Sequence, residues 1–309
     1  MKLNLWISLP LSMICLIANA NTTTPASTTT TTVASTAPAT PAATTATTAA
    51  APAATSTAAA PKKEEPPSVK YGISYEAGYS MQAQTQPDGT RSQSLSHSFT
   101  PSLSYGEYRS SVSIGYEQDL NDSASNGYAD PTFALSKKAW TLGKYLKLGP
   151  SGTLTLPMTD ASKNKVGLMY NIGGALGLSL ITKEIGMEKL SASYQIAVNK
   201  NFTNYDTNSS GNPQTSHKLR NRLSLGYGIT DSISFFNMFD FNSSYSVNGV
   251  VTNSFFSLQS FGYTVNDNVS LSFAHSNGGA YLKTGTYENN LKFFDAENST
   301  YSLALEVSL

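Results

Sequence analysis

The chain has 309 residues, with 20 Lys and Arg against 20 Asp and Glu, and a single cysteine. A balanced charge argues against nucleic acid as a partner, and one cysteine leaves no disulfide framework to hold a fold. No glycine-rich phosphate loop, CxxC or HExxH sequence is present, so no cofactor or metal is expected.

The chain opens with Lys2, an apolar run from Leu5 to Ile17 and the small-residue ending Ala18-Asn19-Ala20. This is the pattern of a signal peptide over residues 1–20. Cys15 follows Met13 and Ile14 rather than a small residue, so no lipid anchor is expected. Residues 21–67 are almost wholly Thr, Ala and Pro and close on "PKKEEPP". Such a segment has too little apolar surface to offset its ordering entropy and is expected to be disordered. Composition leaves open whether it is a plain spacer or a tether that crosses a gap or carries sugars.

Residues 68–309 have no apolar run long enough for a membrane-spanning helix. They are dominated instead by a period of two, the signature of strands with two unlike faces. In "KYGISYEAGYSMQA" one face holds Tyr71, Ile73, Tyr75, Ala77, Tyr79 and Met81, and the other Gly72, Ser74, Glu76, Gly78, Ser80 and Gln82. The texture recurs at 95–105, 112–116, 131–142, 146–156, 166–180, 190–198, 219–229, 233–241, 253–265, 269–275 and 301–309, which predicts about twelve strands. Short turns are expected near Gly106, Gly143, Lys183, Thr230 and Asn266, and longer polar loops at 84–92, 121–130, 157–164, 199–217, 242–250 and 277–298. An even strand count with short turns at one end and long loops at the other describes an antiparallel transmembrane β-barrel.

Period two does not say which face is the interior. In a secreted β-sandwich the apolar face would be the core and the Ser/Gly face would meet water. Charged residues make up 13% of the chain, against about a quarter in ordinary soluble domains. Tyr and Phe also crowd the strand ends, at Tyr71, Tyr105, Tyr145, Phe235, Tyr263 and Tyr301, as interfacial girdles require. The barrel is the favoured reading.

The closing strand "STYSLALEVSL" places Tyr301, Leu303, Leu305, Val307 and Leu309 on one face. It resembles the C-terminal assembly signal of Gram-negative outer-membrane β-barrel proteins, which commonly ends in Phe or Trp rather than Leu. "GPSGTLTLPMTD" and "FGYTVNDNVSLSF" are similar to the strand-to-loop and strand-turn-strand phrases of porin-like members. The resemblance implies an outer-membrane location with both termini in the periplasm. It implies outer-membrane lipids, lipopolysaccharide and the barrel-assembly machinery as partners, and it leaves the oligomeric state open.

Barrels of twelve strands lie between those filled by side chains and those enclosing water. The inward positions here are small: Ser94, Ser96, Ser98, Ser102 and Ser104; Ser111, Ser113 and Gly115; Gly167, Gly173, Ala175 and Gly177. A polar channel for small hydrophilic solutes is therefore expected. The alternative is a surface barrel, adhesive or structural, whose loops do the work. For the channel, the expected pore-lining charges are Glu76, Glu117, Asp119 and Glu306 on one wall and Arg220 and Arg222 nearly opposite. These charges either set up a field across the pore or pair locally, with Lys138 and Lys147 as candidate partners.

"VSLSFAHSNGGAY" raises a third reading, a lipid hydrolase centred on His275. Outer-membrane phospholipases and lipid A deacylases are locally similar, but they keep a residue between His and Ser. Here His275 and Ser276 are adjacent and are expected to face opposite ways, out of reach of each other. His97 and His217 are expected near the outer strand ends as interfacial side chains rather than metal ligands.

Overall fold

The computed structural model describes residues 68–85, 89–121, 126–282, 290–292, 294–295 and 299–309. The expectations for residues 1–20 and 21–67 lie outside the described residues. Twelve long strands succeed one another: β1 (Val69–Thr85), β2 (Arg91–Tyr105), β3 (Tyr108–Asp119), β4 (Thr132–Lys137), β5 (Leu146–Thr155) and β6 (Leu168–Leu180), then β7 (Leu190–Thr203), β8 (Thr215–Gly228), β9 (Ile233–Ser246), β10 (Val251–Asn266), β11 (Val269–Ala280) and β12 (Thr300–Ser308). Each pairs antiparallel with the next. The last returns to the first, from Ser74 opposite Ser308 to Gln82 opposite Thr300, and closes the sheet. Two short pieces flank β4: Gly127–Tyr128 against β3 and Trp140–Leu142 against β5.

Closure follows from the alternation. A sheet whose two faces are both wanted, one by hydrocarbon and one by a polar interior, has no use for an open edge with unpaired backbone groups. The apolar set points outward: Tyr71 is 82% exposed, Leu176 and Leu303 are each 53%, and Phe273 is 50%. A belt of large apolar side chains this continuous and this bare suits lipid, not water. The small set lines the interior, where rungs such as Gly78–Ser96–Glu117 run from strand to strand. Ser80 and Ser94, facing each other on one rung, share a hydrogen bond of 2.8 Å between hydroxyls.

Aromatic pairs decorate the outer face. The ring of His217 stacks on Tyr245 and that of Tyr170 on Phe202, both at 4.5 Å. The Tyr75 hydroxyl lies 2.8 Å from Nδ1 of His97. Both histidines thus have aromatic neighbours on the outside, and among the described residues no cluster of His, Cys, Asp and Glu could hold a metal ion.

The connections depart from the expected lengths at four places. The polar stretch 242–250 is strand up to Ser246, and only residues 247–250 turn, with Gly249 at φ 83°. The expected loop at 199–217 likewise loses both ends, to β7 through Thr203 and to β8 from Thr215. At 277–298 the same happens at one end, where β11 runs on to Ala280. Strands that continue beyond an apolar belt have water on both faces, so alternation disappears from the sequence while the ladder goes on. At the other end, the turn near Lys183 is longer than expected and carries a 3-10 turn, Thr182–Ile185. Gly167, expected among the inward positions, precedes β6 with φ 65° and sits against the Tyr205 ring.

Candidate functional site

The inner face of β8 carries Lys218, Arg220 and Arg222, alternating with Leu219, Asn221 and Leu223 on the outer face. Register decides the fate of each cation. Arg222 lies on a rung between Gln195 of β7 and Asp240 of β9. Its Nε and Nη2 each donate to one carboxylate oxygen of Asp240 at 2.6 Å. The two residues are 4% and 2% exposed. A parallel fork of this kind satisfies both charges at once, and removing either partner strands the other in a medium that cannot solvate it.

Arg220, one rung higher, stands between Ala197 and Asn242, both uncharged. Its Nη2 donates to Oε1 of Gln195 at 3.0 Å, and the side chain remains half-buried. Lys218 stands between Asn199 and Ser244. Of the two arginines expected together, Arg222 is tied to a carboxylate on its own rung, and Arg220 bonds an amide among its contacts.

The acidic residues gather elsewhere on the ring. Glu306 of β12 lies directly opposite Glu76 of β1, and Ser308 Oγ donates to Glu306 at 3.3 Å. Glu117 and Asp119 of β3 face Ser96 and Ser94 of β2, and Asp119 accepts the Asn121 backbone N–H at 2.8 Å. With the strands closed in chain order, β8 is diametrically across from β2. The basic wall therefore faces the acidic one.

Among the inward charges that escaped the sequence reading are Asp240, Lys218 and Arg109. All three were within its reach by parity. Asp240 lies between Phe239 and Phe241, which must face out, and Lys218 shares the parity of Arg220. Arg109 lies opposite Ser104 and Ser136 and reaches Ser102 Oγ at 3.5 Å. The interior is also less uniformly small than expected. Phe236 and Met238 of β9 and Phe256 and Leu258 of β10 point inward, with Met238 opposite Leu258 and Phe256 opposite Asp240.

On the outer face, the serine next to His275 is out of play: Ser276 lies inward, opposite Leu258. His275 finds another serine. Its Nε2 is 3.0 Å from Ser299 Oγ and its Nδ1 is 2.7 Å from Gln259 Oε1. The tautomer satisfying both contacts carries its proton on Nδ1, as in a hydrolytic triad. The surroundings give a different use. Ser299 is 3% exposed and its Oγ also accepts the Asp295 N–H. The Phe294 ring lies over the imidazole at 4.5 Å. Asn277 Nδ2 donates to the Lys292 carbonyl at 2.5 Å, and Asn290 Nδ2 to that of Ala280 at 3.2 Å. A nucleophile needs an approach path for its ester, and this hydroxyl has none. The group ties Asn290, Lys292, Phe294 and Ser299 onto the outer wall of β10 and β11.

No family model and no curated relative matches the sequence. Among solved structures, the chain is similar to an outer membrane channel from Pseudomonas putida F1, at 12% identity and a TM-score of 0.52, over 80% of this chain and 97% of that one. It is similar also to the NanC porin, at 11% identity and a TM-score of 0.50, over 77% of this chain and all of that one. The fold is that of the outer-membrane porins, a closed antiparallel barrel of twelve strands.

Proposed function

We propose that the protein is an outer-membrane channel through which small hydrophilic solutes diffuse passively. The observation that carries this reading is the pair of facing walls inside a closed barrel, Lys218 and Arg220 on β8 against Glu76, Glu117, Asp119 and Glu306 on β12, β1 and β3. Charges of opposite sign across a confined, low-dielectric passage produce a transverse field that sorts ions. A belt of exposed apolar side chains outside the same wall supports embedding among outer-membrane lipids and lipopolysaccharide. The resemblance of the last strand to an assembly signal supports delivery by the barrel-assembly machinery, with both termini on the periplasmic side. Arg222, expected beside Arg220, drops out of the ion path because its charge is matched by Asp240. Against an adhesive or merely structural barrel stands the four-residue link between β9 and β10.

The test is conductance of the full-length purified protein in a planar bilayer under a salt gradient. Changing Lys218 and Arg220 together to Ala shifts the reversal potential toward cations, and changing Glu117 and Asp119 to Ala shifts it the other way. Both shifts shrink toward 1 M salt, where the screening length falls to about 3 Å. A protein that reconstitutes but never conducts overturns the reading. Shifts absent from both variants mean that these charges do not border the path.

A further inference from the structure

We propose that the outer wall of β3–β5 holds one phospholipid, a phosphatidylethanolamine of the periplasmic leaflet, with an acyl chain in a furrow beside Leu135 and its headgroup on Lys137 and Glu107. The inference rests on the reading above that embeds the barrel with its short turns on the periplasmic side. The lipid-facing surface is not evenly covered. On one rung Leu135 of β4 has Ser110 of β3 on one side and Gly152 of β5 on the other, and Gly152 in turn lies opposite Gly174 of β6. The next rung of outward side chains, farther from the short turns, is large throughout: Val112, Phe133 and Leu154. A large side chain between small neighbours leaves a hollow beside it. The hollow measures about 770 Å³ and is lined by Leu103, Val112, Phe133, Leu135, Leu154 and Ile172 among others, within the range of about 300–1,000 Å³ that holds small ligands. The fold does not demand glycine at 152. Its φ is not positive, and a Cβ there would meet only the Gly173 carbonyl oxygen within 4 Å, at an ordinary 3.6 Å.

One end of the furrow is charged. Lys137 follows Leu135 by two positions on the same face, about 7 Å along the strand toward the short turns, and shares a rung with Tyr108. Its Nζ lies 5.2 Å from the centre of the Trp140 ring, 5.8 Å from that of Tyr108 and 3.4 Å from Oε2 of Glu107. Tyr and Trp beside a lysine mark the level where hydrocarbon gives way to headgroups. The apolar furrow and the charged pair therefore lie at the two depths that one lipid occupies. The backbone carbonyl of Glu107 accepts the Lys138 N–H at 2.6 Å, which holds the turn carrying the carboxylate against the end of β4. An ion pair this open, with the Glu107 side chain 61% exposed, is weak by itself. A phosphate on Lys137 and an ammonium on Glu107 replace that one contact with two charge-assisted ones. Phosphatidylglycerol brings the phosphate alone, and its charge is repelled by the Glu107 carboxylate. The zwitterionic headgroup is thus the one whose two charges both find a partner.

The chain has two tryptophans, Trp6 and Trp140, so Trp6→Phe in the full-length protein leaves Trp140 as the reporter. Lipids with brominated chains quench a nearby indole. Brominated phosphatidylethanolamine, phosphatidylglycerol and diacylglycerol are each titrated into the protein in dodecyl maltoside, a detergent without charge, and the fluorescence of Trp140 is read. Diacylglycerol, which has chains and no headgroup, sets the background. Phosphatidylethanolamine is expected to reach half-quenching at about fivefold lower concentration than phosphatidylglycerol. Lys137→Ala raises that concentration by about fivefold, and Glu107→Gln brings phosphatidylglycerol level with phosphatidylethanolamine. Gly152→Leu fills the furrow and weakens both. Lys137→Met, which keeps the stem of the side chain, serves if the alanine variant fails to fold. Equal quenching by the three lipids overturns the site, as does phosphatidylethanolamine quenching unchanged in folded Lys137→Ala or Gly152→Leu. A second copy of the chain in the furrow, seen as twice the protein mass in detergent with Trp140 insensitive to every lipid, overturns it too. Each of these outcomes leaves the channel reading standing, whereas a protein that stays soluble and monomeric without detergent removes both.

Discussion

Two places in this barrel take polar side chains out of solvent, and they do it differently. Inside, Arg222 and Asp240 come from neighbouring strands and meet on one rung, so the register that builds the sheet also makes the pair. Outside, His275 and Gln259 share a rung, but their third partner, Ser299, arrives from beyond β11 and lies on no rung with either. The interior pair cannot be undone without undoing the sheet. The exterior tie can be released while every ladder stays intact. Stability in this fold is thus layered: what the ladder fixes is global, and what a returning segment fixes is local.

The sharpest way to break the comparison is Asp240→Ala. It leaves the Arg222 guanidinium buried without its counter-charge, at a cost of about 3–5 kcal/mol. The folded, fast-migrating band on unboiled gels should disappear at a markedly lower denaturant concentration. Replacing the pair together, Arg222→Met with Asp240→Leu, should recover most of that loss, because an apolar pair of similar bulk avoids the stranded charge. If the double variant is as weak as the single one, the fork does more than neutralise charge.

A smaller effect is expected outside. His275→Ala with Ser299→Ala removes three hydrogen bonds, together about 3 kcal/mol, and is expected to release only the residues tied there. Trypsin cleavage after Lys292, half-exposed in the intact protein, should speed up while the denaturant midpoint of the barrel stays put. A coupled fall of that midpoint would show that the tie belongs to the global unit. The same variant should hydrolyse phospholipid no less than the wild protein, since neither is expected to do so. Smallest of all is Gly249→Ala. A side chain at φ 83° is strained by about 1 kcal/mol, and the effect should appear as faster amide exchange confined to the link between β9 and β10.

The sequence disclosed one kind of information well. Alternation across Tyr71–Met81 or Leu219–Ile229 marks two unlike faces, and both stretches lie in strands whose apolar face is outward. What it disclosed poorly was pairing. Arg220 and Arg222 look alike in "KLRNRLSL", and only the offset between β8 and β9 makes one a buried ion and the other a half-exposed one. That offset is set at the turn through residues 229–232, whose sequence names no partner. Asp240 could have been placed inward from Phe239 and Phe241 alone, which would have raised the pairing as a possibility. Ser299 could not have been matched to His275 from sequence, because it lies just before β12, diagonal to the rung of His275 and Tyr301, and only the β11–β12 register brings the two together. Strand ends were misjudged for a related reason: beyond the apolar belt, residues such as Asn242 and Ser244 continue a strand without advertising it.

The seam between β1 and β12 joins residues more than two hundred positions apart, among them Gln82 to Thr300 and Ser74 to Ser308. Every other pairing in the ring links neighbours along the chain. The ring therefore resembles a zipper with ten or so cheap steps and one that must wait for all of them, since the entropy of joining such distant ends has to be met before any reward from the contact. Until that moment two bare edges exist at once, each able to recruit a strand from another molecule. Crowding of unfinished chains is the hazard of this topology, and its rate-limiting event is the meeting of the first strand with the last.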